Sequence, residues 1–184
     1  MVNNISPILN PLTMTNNTIP ATAPALVITP EALLQHWQGH RQLTRRVIAA
    51  FPENELFRFS LGGMRPFAEM AIEMMDLASA GIEGMVTGQW QALSDLDHAK
   101  GMQDGLTKEA LLQRWDTVTA QISARWPEIA PHRFQEVDLA FGQYQGPIYS
   151  LMLYWVDNEV HHRGQGYVYL RALGIEPPPF WDRY

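Results

Sequence analysis

Cysteine is absent from the 184 residues, and with it go disulfides, thiolate nucleophiles and every zinc site built on sulfur. Charge is scarce: Asp, Glu, Lys and Arg make up only 17% of the chain, so no solvated tract dilutes the core. A basic excess is missing too. Thirteen Lys and Arg stand against 19 Asp and Glu, for a formal net charge of -6, which argues against a nucleic-acid surface. No apolar run approaches the roughly 20 residues that a membrane span needs, and no basic stretch opens the chain as a signal peptide would require. A soluble cytoplasmic protein is therefore expected. Phosphate loops, zinc-finger spacings and nucleophile elbows are also lacking, and Ser60, Ser79 and Ser150 have no base and acid partners in sequence.

What is present is apolar and periodic. A hydrophobic content of 46% suffices for one sizeable core. Residues 1–28 carry no charged side chain and have prolines at 7, 11, 20 and 24, which forbid a continuous helix. They are expected to be an N-terminal arm outside a single domain of residues 29–184. The first predicted helix has Thr29 as N-cap, Pro30 at its first position and Glu31 in its first turn. Leu33, Trp37, His40, Thr44, Val47 and Phe51 line one face of it, and Pro52 stops it. A loop is expected through Phe57 and Phe59. The second helix starts near Arg65-Pro66 and turns Phe67, Met70, Met74, Ala78, Ile82 and Met85 inward. Gly81, Gly84 and Gly88 weaken its end by about 1 kcal/mol each relative to Ala. A loop follows over residues 94–105. The third helix is capped by Thr107, buries Leu111, Trp115, Val118 and Ile122, and closes at Pro127. Residues 127–146 read only as a short element covering one end. Four amphipathic helices without strand patterning predict an all-α four-helix bundle with a Pro-rich C-terminal tail.

The fourth helix begins after Gly146-Pro147 and carries the stretch Asn158-Glu159-Val160-His161-His162-Arg163-Gly164-Gln165. At about 100° per residue, Ile148, Leu151, Trp155, Asn158, His162, Tyr169 and Leu173 share a face. It is apolar except in its middle, where an amide and an imidazole sit one turn apart. Polar groups placed inside an apolar stripe must be paired or ligated. Gly174 is a fitting left-handed stop, and Pro177-Pro178-Pro179 prevents a restart.

The run NEVHHRGQGYVYLRALGIEPP resembles the last-helix signature of the DinB/YfiT-like superfamily, helical bundles of which many hold a divalent metal on three histidines. The family's pattern there is H-x-x-x-H-R-G-Q. Here the second position is His162, followed by an intact Arg163-Gly164-Gln165, and the first position is Asn158 instead of His. The family's third ligand follows a motif like R-x-F-x-E-L-x-x-H. Matched on Arg65-Pro66-Phe67-Ala68-Glu69-Met70-Ala71-Ile72, it falls on Glu73. The resemblance thus implies a metal set of Glu73, Asn158 and His162, harder and weaker than three histidines, that would hold Ni, Zn, Fe or Mn. It also implies a homodimer and a small-molecule substrate in the bundle cavity, handled as a metal-dependent thiol transferase or hydrolase. The competing expectation is a non-catalytic, stress-related binding bundle with a decayed site. Glu73 lies roughly 120° from Phe67, at the edge of the apolar arc, so an exposed helical glutamate stands beside the ligand reading. His162 and Asn158 have the alternative of being a hydrogen-bonded core pair. His40, with His36 one turn earlier, is either a polar core group or a wall of the same cavity. His161 points away from the site face, and Arg163 is expected to pair with an acid or with helix-end carbonyls.

Overall fold

The computed structural model describes residues 27–101 and 105–184; most of the expected N-terminal arm lies outside them. The first long helix, α1 (Pro30–Ala50), starts as its sequence demands: Thr29 Oγ1 accepts from the Ala32 amide at 3.2 Å, and Pro30 occupies a position whose N–H would be orphaned anyway. A short helix, α2 (Glu53–Arg58), fills part of the connection expected to be a loop. Pro66 opens α3 (Phe67–Thr87), and Gly88 closes it in the left-handed conformation. A four-residue turn of helix, α4 (Asp97–Lys100), interrupts the next expected loop. Thr107 caps α5 (Lys108–Arg125), accepting from Ala110 N at 3.2 Å. After Pro147 comes α6 (Ile148–Ala172), whose end folds back with Ile175 N donating to Leu170 O at 2.8 Å across Gly174.

The four long helices lie side by side, α1 and α3 each packing against both α5 and α6. Their shared interior is lined by Trp37, Val47, Phe67, Met70, Met75, Ile82, Trp115, Ile122, Met152 and Tyr169. The glycines of α3 do more than weaken it. A Cβ on Gly81 would stand 2.7 Å from the Trp155 indole, and one on Gly84 would stand 2.2 Å from Trp90. Each glycine is therefore the seat of an aromatic ring.

The chain is mostly helical as expected, with one correction: residues 137–147 form an antiparallel hairpin, β1 (Val137–Ala140) paired with β2 (Tyr144–Pro147). Its alternation is only four residues long, and its turn lacks the Asn-Gly signal that makes hairpins legible. Phe141 and Gly142 both take positive φ, at 54° and 68°, while Gln143 N donates to Ala140 O at 3.0 Å. That is the turn twist that hairpins favour. Positive φ is costly for a phenylalanine, and burial of its ring against Trp90 and Trp155 offsets the strain. The Pro-rich tail lies back along the helices, with Tyr167 Oη donating to Pro178 O at 2.6 Å.

Candidate metal centre and cleft

Glu73 projects from α3 toward α6, where Asn158 and His162 sit one turn apart on the facing side. Asn158 Nδ2 donates to Glu73 Oε1 at 3.1 Å, and His162 Nε2 lies 3.2 Å from the same oxygen. The other carboxylate oxygen is bonded by the Arg65 guanidinium. The alternative of an exposed Glu73 is set aside: its side chain is only 16% exposed. Burial by itself would raise the Glu73 pKa. Hydrogen bonds from His162, Arg65 and Asn158 outweigh it and hold the carboxyl well below the usual range.

Gln165 decides what His162 can do. Its Oε1 lies 2.7 Å from His162 Nδ1, and its amide nitrogen faces Met64 Sδ at 3.2 Å. With the amide oxygen turned to the imidazole, Nδ1 must carry the proton. In a neutral ring Nε2 then presents a lone pair to the Glu73 carboxylate, which is repulsive at 3.2 Å. In this amide orientation the contact closes with a positive charge between the two atoms, either a second ring proton or a metal cation; with the amide turned over, Nδ1 accepts from Gln165 and Nε2–H donates to Glu73 directly. A second observation stands beside it: Asn158 Oδ1 is buried without a hydrogen-bond partner among the described residues, and a buried polar atom left unpaired costs free energy. Glu73 Oε1 and His162 Nε2 are the two atoms that a cation would meet there, with Asn158 turning Nδ2 to the same carboxylate oxygen. The set is nonetheless thin: among the described residues no group of three or more His, Cys, Asp or Glu side chains is placed to hold a metal.

Glu73 also lines a cleft of about 280 Å³ beside the cluster. Leu77, Leu151, Tyr154 and Trp155 form helical walls, and the hairpin adds Phe141 and Tyr144. His98 from α4 and Ser150 supply further polar groups. The cleft is mostly apolar and aromatic with a few convergent polar atoms, the usual make-up of a small-molecule pocket. Arg65, Gln165, His98 and the hairpin aromatics were not identified as site residues by sequence. Gln165 and Arg65 had a signal, as the last letter of the Arg-Gly-Gln motif and the first letter of the motif that ends on Glu73.

His40 is not part of this cleft. It belongs to a second network between α1 and α6, in which Arg163 Nη2 lies 2.9 Å from His40 Nδ1 and Arg163 Nη1 donates to Thr44 Oγ1 at 3.0 Å. Glu159, buried, accepts from Thr44 Oγ1 at 2.7 Å and faces Arg41 at 3.7 Å and Arg163 at 3.9 Å. Burial, with Arg163, His36 and Arg183 nearby, depresses the His40 pKa to about 3, so the ring is neutral. Burial raises the Glu159 pKa in spite of the Arg41 charge. The core reading of His40 holds, and Arg163 pairs with an acid as expected. Glu159 was missed, because an acid and a base at i, i+4 look in sequence like a solvated surface pair.

The DinB family model matches residues 14–183. Comparison with the sequences of curated proteins finds no match. Among solved structures, a DinB-like protein from Bacillus subtilis superposes with a TM-score of 0.63 at 15% identity, covering 83% of this chain and 99% of its own. A putative DinB-family member from Exiguobacterium sibiricum does so at 0.62 and 18% identity, covering 82% of this chain and 95% of its own. A mycothiol-dependent maleylpyruvate isomerase gives 0.59 at 14% identity over 74% of this chain and 60% of its own. At these identities the likeness is one of fold, and the family match covers nearly the whole chain: the protein belongs to the DinB family.

Proposed function

We propose that this DinB-family protein binds one divalent metal ion, drawn from Ni, Zn, Fe and Mn, through Glu73, Asn158 and His162, and acts on a small molecule held in the adjoining cleft. The observation that supports the reading is the lone-pair conflict between His162 Nε2 and Glu73 Oε1, which a cation relieves, beside the orphaned Asn158 Oδ1. When bound, the ion would supply Lewis-acid polarisation of a substrate oxygen. The protein's own groups prepare the rest. Gln165 fixes the ring tautomer that leaves Nε2 free to ligate, a role such outer partners commonly play. Glu73 borders the cleft, and Leu77, Phe141, Tyr154 and Trp155 exclude water around a ligand. The mycothiol dependence of one structural neighbour makes a low-molecular-weight thiol the first co-substrate to try, in a transferase or hydrolase reaction.

A second reading has its own observation: Arg65 already neutralises Glu73, so a proton can serve where the cation would. The protein would then be a non-catalytic binding bundle. Metal content of protein purified without added metal, and thermal melts with and without chelator, separate the two. The metal reading expects stoichiometric metal, a chelator-sensitive melt, and loss of both in His162→Ala. Asn158→His should raise affinity, because an imidazole replaces a neutral amide. A wild-type melt indifferent to chelator, joined to an Asn158→His variant indifferent to added Zn or Ni, leaves the binding bundle.

A further inference from the structure

A second carboxylate–imidazole pair stands one turn further along α3. Asp76, 5% exposed, turns Oδ2 to His98: the His98 backbone amide donates to it at 2.7 Å, and His98 Nδ1 lies 3.0 Å away. Asp76 Oδ1 is bonded by Arg114 at 2.6 Å, and the same guanidinium reaches Asp97 at 2.9 Å. The carboxylate thus does two things. It anchors α4 to α3 through the backbone, and it fixes which nitrogen of the ring carries the proton. Facing a carboxylate that already accepts two N–H groups, Nδ1 is the donor, and the lone pair falls on Nε2. That nitrogen has no hydrogen-bond partner among the described residues. The His98 side chain is 17% exposed and lines the same cleft as Glu73, while Asp76 lies behind it and outside the cleft. An imidazole oriented from behind by a carboxylate, with its other nitrogen open to a pocket, is the arrangement of a general base.

We propose that His98 is the proton acceptor of this cleft, that Asp76 is its positioning residue, and that the ligand is an aromatic or apolar-bodied small molecule bearing a weakly acidic O–H or S–H. The chemistry is a single transfer. The ligand's O–H or S–H bond breaks, its electron pair stays on oxygen or sulfur, and the proton passes to His98 Nε2. The imidazolium so formed keeps its Nδ1–H on Asp76, whose negative charge stabilises it. Phe141, Tyr144, Tyr154 and Trp155 provide faces and edges for the ligand's body. The proposal rests on the reading that this cleft holds the small molecule, and it is independent of the metal ion.

The probe is 4-nitrophenol, an aromatic body with an acidic O–H whose anion is read by its visible absorbance. The work is done on chelator-treated full-length protein. Equilibrium dialysis measures binding, and absorbance at a pH below the free probe's ionisation measures proton transfer. Wild-type protein should bind the probe and produce a saturable gain in the anion. His98→Gln retains the backbone amide that ties α4 to Asp76, so it should fold, bind the probe and lose the gain. Asp76→Asn should reduce the gain and weaken the preference for the Nδ1–H tautomer in the ring ¹⁵N shifts of His98, a readout that a merely structural role would not move. Arg114→Gln, which loosens the other half of the same knot, should leave that tautomer unchanged. Binding with an equal anion gain in His98→Gln, or unchanged ¹⁵N shifts in Asp76→Asn, overturns the assignment while the cleft stands as the ligand site. Absence of binding to wild-type protein overturns the cleft reading and this proposal together.

Discussion

Replacing Glu73 by Gln keeps the shape of the side chain and removes its charge. In the structure this carboxylate collects Asn158 at 3.1 Å, His162 Nε2 at 3.2 Å and the Arg65 guanidinium. The Arg65 side chain is 42% exposed, so that tie is screened and contributes little. The contact with His162 carries the weight, since the two side chains are only 9% and 16% exposed. A hydrogen bond to a charged group contributes about 1.5–3 kcal/mol, and Gln retains an acceptor oxygen, so a loss near the lower end, about 1.5 kcal/mol, is expected. For a chain of this length each kcal/mol moves the melting temperature by about 2–4 °C, so in chelator-treated buffer near neutral pH the variant should melt roughly 3–6 °C lower. The difference has a defined sign in pH. Burial works to raise the Glu73 pKa, but the bonds from His162 and Arg65 hold it down in the folded protein, whereas an unfolded glutamate titrates near about 4.3. Stabilisation of this kind is complete above the unfolded value. As the pH falls below it, the unfolded chain takes up the proton before the folded one, and the advantage is lost as the pH falls through the folded value. The wild-type lead over Glu73→Gln should therefore shrink steadily below about pH 5. Circular-dichroism melts of both proteins, from neutral pH downward with chelator present, test it. Equal melting at neutral pH, or a lead that does not narrow in acid, would refute the reasoning.

Other consequences are as open to measurement. Gly81→Ala puts a Cβ 2.7 Å from the Trp155 ring; overpacking of this kind costs about 1–3 kcal/mol, read as a lower melting temperature and a changed near-ultraviolet spectrum. Glu159→Ala leaves the buried Arg41 and Arg163 guanidiniums without a counter-charge, which should cost about 3–5 kcal/mol in a urea melt; an effect below about 1 kcal/mol would show that the three charges do not act as a unit. We also propose a homodimer, because Tyr149, Leu153, Tyr154, Val160 and Val168 leave much of α6 apolar and exposed. Light scattering should give twice 20.9 kDa, and a mass of 20.9 kDa at micromolar concentration would count against it.

The long helices are legible in the sequence because each is decided by neighbours within a turn or two. Thr29, Thr107, Pro66, Pro147 and Gly174 mark where helices start and stop, through donors, fixed φ and left-handed backbone that no distant contact needs to supply. The placing of Asn158 and His162 on one face follows from helical arithmetic alone. Which of the edge residues turn inward is another matter. Glu73 lies at the rim of its apolar arc, and only the Asn158 and His162 donors offered by α6, with Arg65 behind, draw its carboxylate in. Glu159 and Arg163 are a surface-like pair by spacing, and α1 makes them core by meeting them with Thr44, His40 and Arg41. The glycines at 81 and 84 read locally as weaknesses of one helix, yet the Trp155 ring from α6 and the Trp90 ring from just past the end of α3 occupy their space. His98 had no periodic neighbour to set it apart within its short turn, and only the approach of Asp76 from α3 orients it. Trp90 aside, the deciding partner is many residues away in each case. Local rules determine where the helices run, and the desolvation and pairing of polar groups between helices, which depend on the packed whole, decide what the cleft contains.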